Sequence, residues 1–177
     1  MESVATASVG AARDAARPTV FDEETFRLFY EKTARPLRGY LLRMTGDVSC
    51  ANDLLQESYL RMLAAKLPEE MSVEHLKNYL FRVATNLLRD RCGHRKTAAL
   101  KETDAVEQGA ETLDARTDVR QMLEELKPRE RQLLWLAYVE QFSHEEIAGI
   151  VGAKTNSIRP MLARAREKLA RMLRTDL

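Results

Sequence analysis

Residues Ser143–Leu173 read SHEEIAGIVGAKTNSIRPMLARAREKLARML. Ser143 followed by Glu146 is a capping box: a hydroxyl and a carboxylate three residues apart satisfy each other's free backbone N–H groups. It opens a short helix whose apolar face is Ile147, Ala148 and Val151. Gly152 supplies the turn. The next apolar row, Ile158, Leu162, Ala165, Leu169 and Met172, has helical spacing to about Met172. Short helix, glycine turn, basic helix is the helix-turn-helix pattern, whose second helix reads base edges from its N-terminal end. Between Lys154 and Arg174 there are seven basic residues and one acid, which suits a polyanion. A helical hairpin with no DNA function is the alternative. Pro160 complicates the start of the basic helix. Inside a helix it removes one hydrogen bond and crowds the carbonyl four residues back, at a cost of roughly 3 kcal/mol. A delayed start is therefore expected, with Asn156 or Ser157 as the cap and Lys154–Asn156 extended or in a tight turn; the alternative is an early start with a kink near Asn156.

Upstream, Pro128 stands where a first-turn proline is tolerated and opens a helix through Leu133, Leu134, Leu136 and Ala137. Val119, Met122, Leu123 and Leu126 form the inward row of a helix before it. Residues 93–117 lose the periodicity and gain acids, Thr, Gln and Gly109, as a linker does. It is too long for a routine connection inside one compact domain, so two domains follow.

The first domain repeats the helical pattern. Phe26, Phe29, Tyr30, Thr33, Leu37, Tyr40, Leu41 and Met44 share a face, Pro36 is expected to kink or restart that helix, and Gly46 ends it. Ser49 is the expected cap of a second helix burying Ala51, Leu54, Leu55, Ser58 and Met62, with Asp53, Gln56, Glu57 and Leu60 opposite. Ser72 is the expected cap of a third, burying Leu76, Tyr79, Leu80, Val83, Ala84 and Leu87. Its other side carries Asn78, Arg82, Asn86 and Arg89 as one polar stripe.

Composition excludes several classes. The chain has 177 residues, 45% hydrophobic and 31% charged, with only seven Gly and five Pro, and is rich in helix formers. The expectation is an all-α protein of two small helical domains on a flexible linker. The divisions are a disordered tail over residues 1–20, a first domain over 21–97, an acidic linker over 98–117 and a helix-turn-helix domain over 118–177. The net charge of +1 conceals a linker at −3 (two basic, five acidic residues) between two domains at +2. Arg82–Lys96 holds five basic residues and one acid, whereas Asp47–Glu74 holds six acids and two basic residues. Two basic stretches separated by an acidic one suggest a polyanion contacted twice and a different partner contacted once. Solvated helix faces are the plainer alternative. No apolar run is long enough to span a membrane and none resembles a secretory signal. Two cysteines make no disulfide scaffold, so a reduced, cytoplasmic chain is expected. Cys92-Gly93-His94 lacks the paired spacing of a zinc site, and there is no phosphate loop and no nucleophile–base grouping. Metal, cofactor and catalytic activity are not expected.

The stretches FRLFYEKTARPLRGYLLRMTG (26–46), NDLLQESYLRMLA (52–64) and LKNYLFRVATNLLRDRCGHRK (76–96) resemble region 2 of the extracytoplasmic-function (ECF) sigma factors. LEELKPRERQLLWLAYVEQFSHEEIAGIVGA (123–153) and SIRPMLARAREKLARML (157–173) resemble region 4 of the same family. The resemblance implies a protein that binds core RNA polymerase and directs promoter-specific initiation without covalent chemistry of its own. Region 2 is implied to hold the polymerase clamp helices and to melt and read the −10 element. Region 4 is implied to bind the polymerase flap and read the −35 element. The linker is implied to run toward the RNA exit channel.

Carried onto this chain, Asp53, Gln56, Glu57 and Leu60 match the polymerase-binding helix: one exposed apolar anchor with a charged rim. Asn78, Arg82, Asn86 and Arg89, extended by Arg91, Arg95 and Lys96, match the −10 side. There arginines neutralise phosphates and Asn86 bonds an exposed base edge. Where the family often has Trp this chain has Tyr79, placed inward by its spacing. Lys154, Thr155, Asn156, Ser157, Arg159 and Arg164 are the −35 candidates. Here the chain departs from the family: Arg159-Pro160-Met161-Leu162 stands in place of a Lys-Ser-Arg-Leu-like run, and Met161 replaces a basic residue. An anti-sigma factor is a further expected partner; direct membrane insertion is not. A free-standing operator-binding regulator and a sigma-like decoy are the competing classes. A sigma factor alone is expected to give no promoter-specific footprint, because each half offers few phosphate contacts and the linker fixes no geometry between them.

Overall fold

The computed structural model describes residues 22–68, 70–98 and 125–175, with backbone only at 92–98 and 175. The expected tail, nearly all of the acidic linker, Val119, Met122 and Leu123, and the side chains of Cys92, His94, Arg95 and Lys96 lie outside that description. All regular structure among the described residues is helical: α1 (Glu23–Thr45), α2 (Val48–Ala64), α3 (Val73–Ala98), α4 (Pro128–Leu134), α5 (His144–Val151) and α6 (Thr155–Thr175).

Local chemistry sets most of the boundaries. Asp22 accepts from the Thr25 amide at 2.7 Å and starts α1. Gly46 (φ 70°) ends it, and Gly152 (φ 66°) ends α5 in the same left-handed conformation. The cap of α2 is Asp47, whose carboxylate accepts from the Cys50 amide at 2.9 Å. Ser49, expected in that role, lies one residue inside the helix. Ser72 accepts from the His75 amide at 3.3 Å, and the Ser143–Glu146 capping box is formed in both directions. Pro128 occupies the first turn of α4 as expected.

Pro36 does not restart α1, and Pro160 does not delay the start of α6. Helix α1 runs unbroken through Pro36, and α6 starts at Thr155 with Pro160 well inside it. The delayed start of α6 therefore does not occur. The reason is tertiary. Ile158, Leu162 and Ala165 must enter the core as one helical row, and all three are buried; that burial outweighs one lost hydrogen bond. The orphaned carbonyls, four residues before each proline, belong to Lys32 and Asn156, both exposed residues that water can reach.

Helices α1, α2 and α3 pack together through Phe29, Leu37, Leu41, Leu54, Met62, Leu80 and Ala84. Helices α4, α5 and α6 enclose Leu133, Leu136, Ile147, Ile150 and Ile158. The two groups share one continuous core, with α3 against α5 and α1 against α4. Phe81 meets Phe142 edge-on at 5.1 Å between ring centroids. Gln132 donates to the Tyr40 hydroxyl, which also shares a hydrogen bond with the Thr85 hydroxyl at 2.9 Å. Burial pushes the Tyr40 pKa up, so this chain of bonds carries no charge.

A wider π turn, Trp135–Val139, follows α4 directly, and Gln141 then takes a left-handed conformation (φ 58°) rare for a residue with a side chain. Together they turn Glu140 and Phe142 back toward α3.

Candidate polymerase and nucleic-acid interfaces

Helix α2 presents its expected outer face. Asp53 and Gln56 are exposed, Glu57 is half-buried, and Leu60 is 62% exposed. Leu63, one turn on and 43% exposed, enlarges the apolar patch. Its position three residues after Leu60 was the available signal. Two ion pairs edge the face: Arg61 Nε with Glu57 at 2.7 Å, and Arg91 with Asp53 at 3.4 Å. Both are solvent-exposed and weak, so either carboxylate is free to change partners. Behind the patch, Tyr59 is buried, packs on Tyr30 at 4.8 Å, and bonds Thr33 Oγ1 at 2.7 Å. Burial is the main reason that its pKa is pushed up to about 12.

The polar stripe of α3 divides lengthwise. At about 100° per residue, Arg89 lies only about 20° around the helix from Asn78, whereas Arg82 and Asn86 lie about 40° and 80° away. The edge carrying Asn78 and Arg89 meets the second half. Asn78 Nδ2 donates to Glu146 at 2.8 Å, and Arg89 Nη2 donates to the Val151 carbonyl at 3.2 Å. Glu146 is held below the usual carboxylate pKa, first by that Asn78 bond. Arg82 and Asn86 stay exposed, and the Arg82 guanidinium lies 5.1 Å above the Tyr79 ring. Tyr79 is half-buried rather than wholly inward, so one face of the ring supports an arginine. The structure thus brings Arg82, Asn86 and Tyr79 together on an open surface, with Asn78 half-buried at its edge and Arg89, still exposed, bonded there to the second half.

Sequence reading missed what covers that edge. Phe81, Thr85 and Leu88 form a second buried row on α3. Their spacing, i, i+4, i+7, was visible but was masked by the stronger first row. Lys77 is also engaged: its Nζ pairs with Glu140 at 3.2 Å, and Glu140 is only 4% exposed. The same ammonium stands 4.8 Å above the Phe142 ring, and Trp135 Nε1 donates to the other oxygen of Glu140 at 3.3 Å.

Helix α6 is open by contrast. Lys154, Thr155, Asn156, Arg159 and Arg164 are exposed and Ser157 is half-buried, on a surface that no other described element covers. Apart from Ser157, which donates to the Lys154 carbonyl at 2.9 Å, the first-turn amides point along the helix axis as an anion-binding end. Met161, an apolar residue among the candidate −35 positions, is half-buried against the core. Lys168 is turned away from this surface and pairs with Glu130 at 3.1 Å. Among the described residues, no helix is long and apolar enough to cross a membrane.

Comparison with known proteins supplies the context for these surfaces. The Sigma-70 region 2 family matches residues 29–97 and the Sigma-70, region 4 family matches residues 116–169. The ECF RNA polymerase sigma factor EcfG of Rhodopseudomonas palustris (strain TIE-1) is 31% identical over 149 residues, spanning 79% of this chain and 80% of that protein. RNA polymerase sigma factor CarQ of Myxococcus xanthus is 27% identical over 158 residues, spanning 85% and 90%. In fold, the chain resembles one in the co-crystal structure of the sigma factor RpoE with the anti-sigma factor NepR from Bartonella quintana. The TM-score is 0.69 at 20% identity, over 87% of this chain and 99% of that one. With both sigma-70 regions in order, and a relative of that identity spanning most of its length, the chain belongs to the ECF sigma factors, which direct RNA polymerase to initiate transcription.

Proposed function

We propose that residues 21–97 act as region 2 and residues 118–177 as region 4, joined by an acidic linker over 98–117, in a cytoplasmic protein without catalytic activity of its own. Core polymerase is held by α2, with Leu60 as the anchor, Leu63 beside it, and Asp53, Gln56 and Glu57 as the charged rim. The −10 strand is held by α3: Arg82, Arg89, Arg91, Arg95 and Lys96 on phosphates, Asn78 and Asn86 on base edges. The −35 duplex is held by the start of α6, through Lys154, Thr155, Asn156, Ser157 and Arg159, with Arg164 on a phosphate.

The observation that carries this reading is the exposed Leu60 on α2, with Leu63 beside it and Glu57 and Asp53 one and two turns before it, on a helix other than α3 and α6. A duplex-binding regulator has no use for an acidic apolar patch, whereas a polymerase subunit needs one. The resemblance to a sigma factor solved with an anti-sigma factor also supports such an inhibitor as a partner.

Replacing Asp53 and Glu57 together by Lys tests the reading. Affinity for core polymerase is expected to fall at least tenfold, while thermal unfolding changes by no more than about 0.5 kcal/mol per site. A folded variant with unchanged affinity would show that the face is only solvated.

A further inference from the structure

We propose that Arg89 of α3 and Arg129 of α4 together form a binding site for a phosphate group, and that its occupant is a small free phosphate ion.

Hydrogen bonds bring the two arginines to one place. Gln132 is buried, and its Nε2 donates to the Tyr40 hydroxyl. Its Oε1 accepts from Arg129 Nη1 at 3.4 Å. The Tyr40 hydroxyl also shares a bond with the Thr85 hydroxyl, and Arg89 stands one turn beyond Thr85 on α3. Arg89 Nη2 donates to the Val151 carbonyl at 3.2 Å, and a Cβ on Gly152 would lie 4.0 Å from that nitrogen. The end of α5 therefore lies against Arg89 and helps to place it.

What the pair lacks is a carboxylate. Among the described residues, both guanidiniums bond to neutral oxygens, and neither joins an ion pair. Each has five N–H donors and uses one of them in these bonds. Arg129 is half-buried. That burial is the first reason that its pKa is lowered, and the charge of Arg89 is the second. A cation drawn partly out of water beside a like charge is costly, and an anion between the two relieves both costs. Two guanidinium forks suit a phosphate, whose oxygens accept several bonds at once. Arg89 is exposed, so an ion reaches the pair from solvent. A single ion can meet the half-buried Arg129 without moving either half, whereas a strand brings sugars and bases that need more room. Arg89 is also a −10 candidate, so the two sources of phosphate must be separated.

Thermal unfolding of the full chain tests the site, as inorganic phosphate replaces chloride at fixed ionic strength. The wild-type midpoint should rise and saturate with phosphate. Arg89→Gln and Arg129→Gln should each weaken the apparent phosphate affinity by about tenfold or more, the contribution of one charge-assisted hydrogen bond. Arg129→Lys keeps the charge and loses the fork, and should fall between wild type and Arg129→Gln. Arg166→Gln, at an exposed position on α6, should respond as wild type does. A wild-type midpoint indifferent to the exchange of chloride for phosphate would overturn the proposal. So would Arg89→Gln and Arg129→Lys proteins that respond as wild type does; these two decide should Arg129→Gln fail to fold. Fluorescence anisotropy of a labelled single-stranded oligonucleotide separates the sources. Its affinity should be unchanged in Arg129→Gln, whatever the outcome for the −10 assignment of Arg89. If Arg129→Gln weakens the oligonucleotide tenfold and leaves the phosphate response intact, the pair serves nucleic acid and the small-ion site is overturned.

Discussion

Helices α3 and α6 carry similar patterns and meet different fates. Each has a buried apolar row and a polar or basic face opposite, and each is implied to meet promoter DNA. On α6 the face is open: one row, Ile158, Leu162 and Ala165, fixes the helix, and Lys154, Thr155, Asn156 and Arg159 are exposed outside it. On α3 there are two buried rows, and the second, Phe81, Thr85 and Leu88, draws the other half of the molecule across one edge of the polar stripe. The lesson is geometric. A stripe spaced i, i+4, i+8, i+11 is not a line on a 3.6-residue helix. It occupies a sector, and a neighbouring element can cover one edge of that sector and spare the other.

The strongest way to break the comparison is to remove the single row on which α6 depends. Ile158→Ala should cost about 2–5 kcal/mol, read as the midpoint of urea unfolding followed by helicity. Arg159→Ala, on the open face next to it, should cost no more than about 0.5 kcal/mol. Equal costs would mean that α6 is not held by its buried row.

Pro160→Ala sharpens the same point. If core burial fixes the start of α6, restoring the hydrogen bond to the Asn156 carbonyl should stabilise the protein by up to about 3 kcal/mol without moving that start from Thr155. Backbone chemical shifts of residues 153–157 report the helix start. A start that moves toward Gly152 would show that the proline, rather than packing, sets the boundary.

The smallest effect lies at the covered edge of α3. Glu146 has a folded pKa depressed below 4.5, mainly by the Asn78 bond. A depressed carboxylate contributes stability that is present above 4.5 and is lost as pH falls through the lower folded value. Wild type should therefore lose stability more steeply below pH 4.5 than Glu146→Gln, in paired thermal melts. Parallel curves would show that the Asn78–Glu146 contact contributes nothing to stability.

Local rules made much of the fold legible. Gly46, Gly152, Pro128 and the Ser143–Glu146 box sit where their chemistry requires, and the first apolar rows of α2, α3 and α6 face the core as their spacing indicates, with Tyr79, Val83, Leu169 and Met172 only half-buried. Two kinds of feature were not legible. Boundaries set by distant packing were misread: Pro36 and Pro160 lie inside helices because the residues on either side of each belong to one buried row. The α2 cap was misplaced because Asp47 and Ser49 are equally good caps by type, and only the geometry after Gly46 selects Asp47. Contacts between halves were invisible, since nothing in Glu140, Gln132 or Phe142 taken singly announces a partner across a long linker. The candidate surfaces were legible as patterns of charge and exposure. Their division into open and covered parts was not, because it depends on which other helix lies alongside.

Promoter-directed runoff transcription with purified core polymerase tests the central claim most directly, using templates in which the −10 and −35 elements are altered one at a time. With wild-type protein both alterations should reduce transcript. Asn86→Ala should remove sensitivity to the −10 sequence and keep sensitivity to the −35 sequence, and Arg159→Ala should do the opposite. Two variants that lose both sensitivities together, or neither, would contradict the assignment of the two helices to two separate promoter elements.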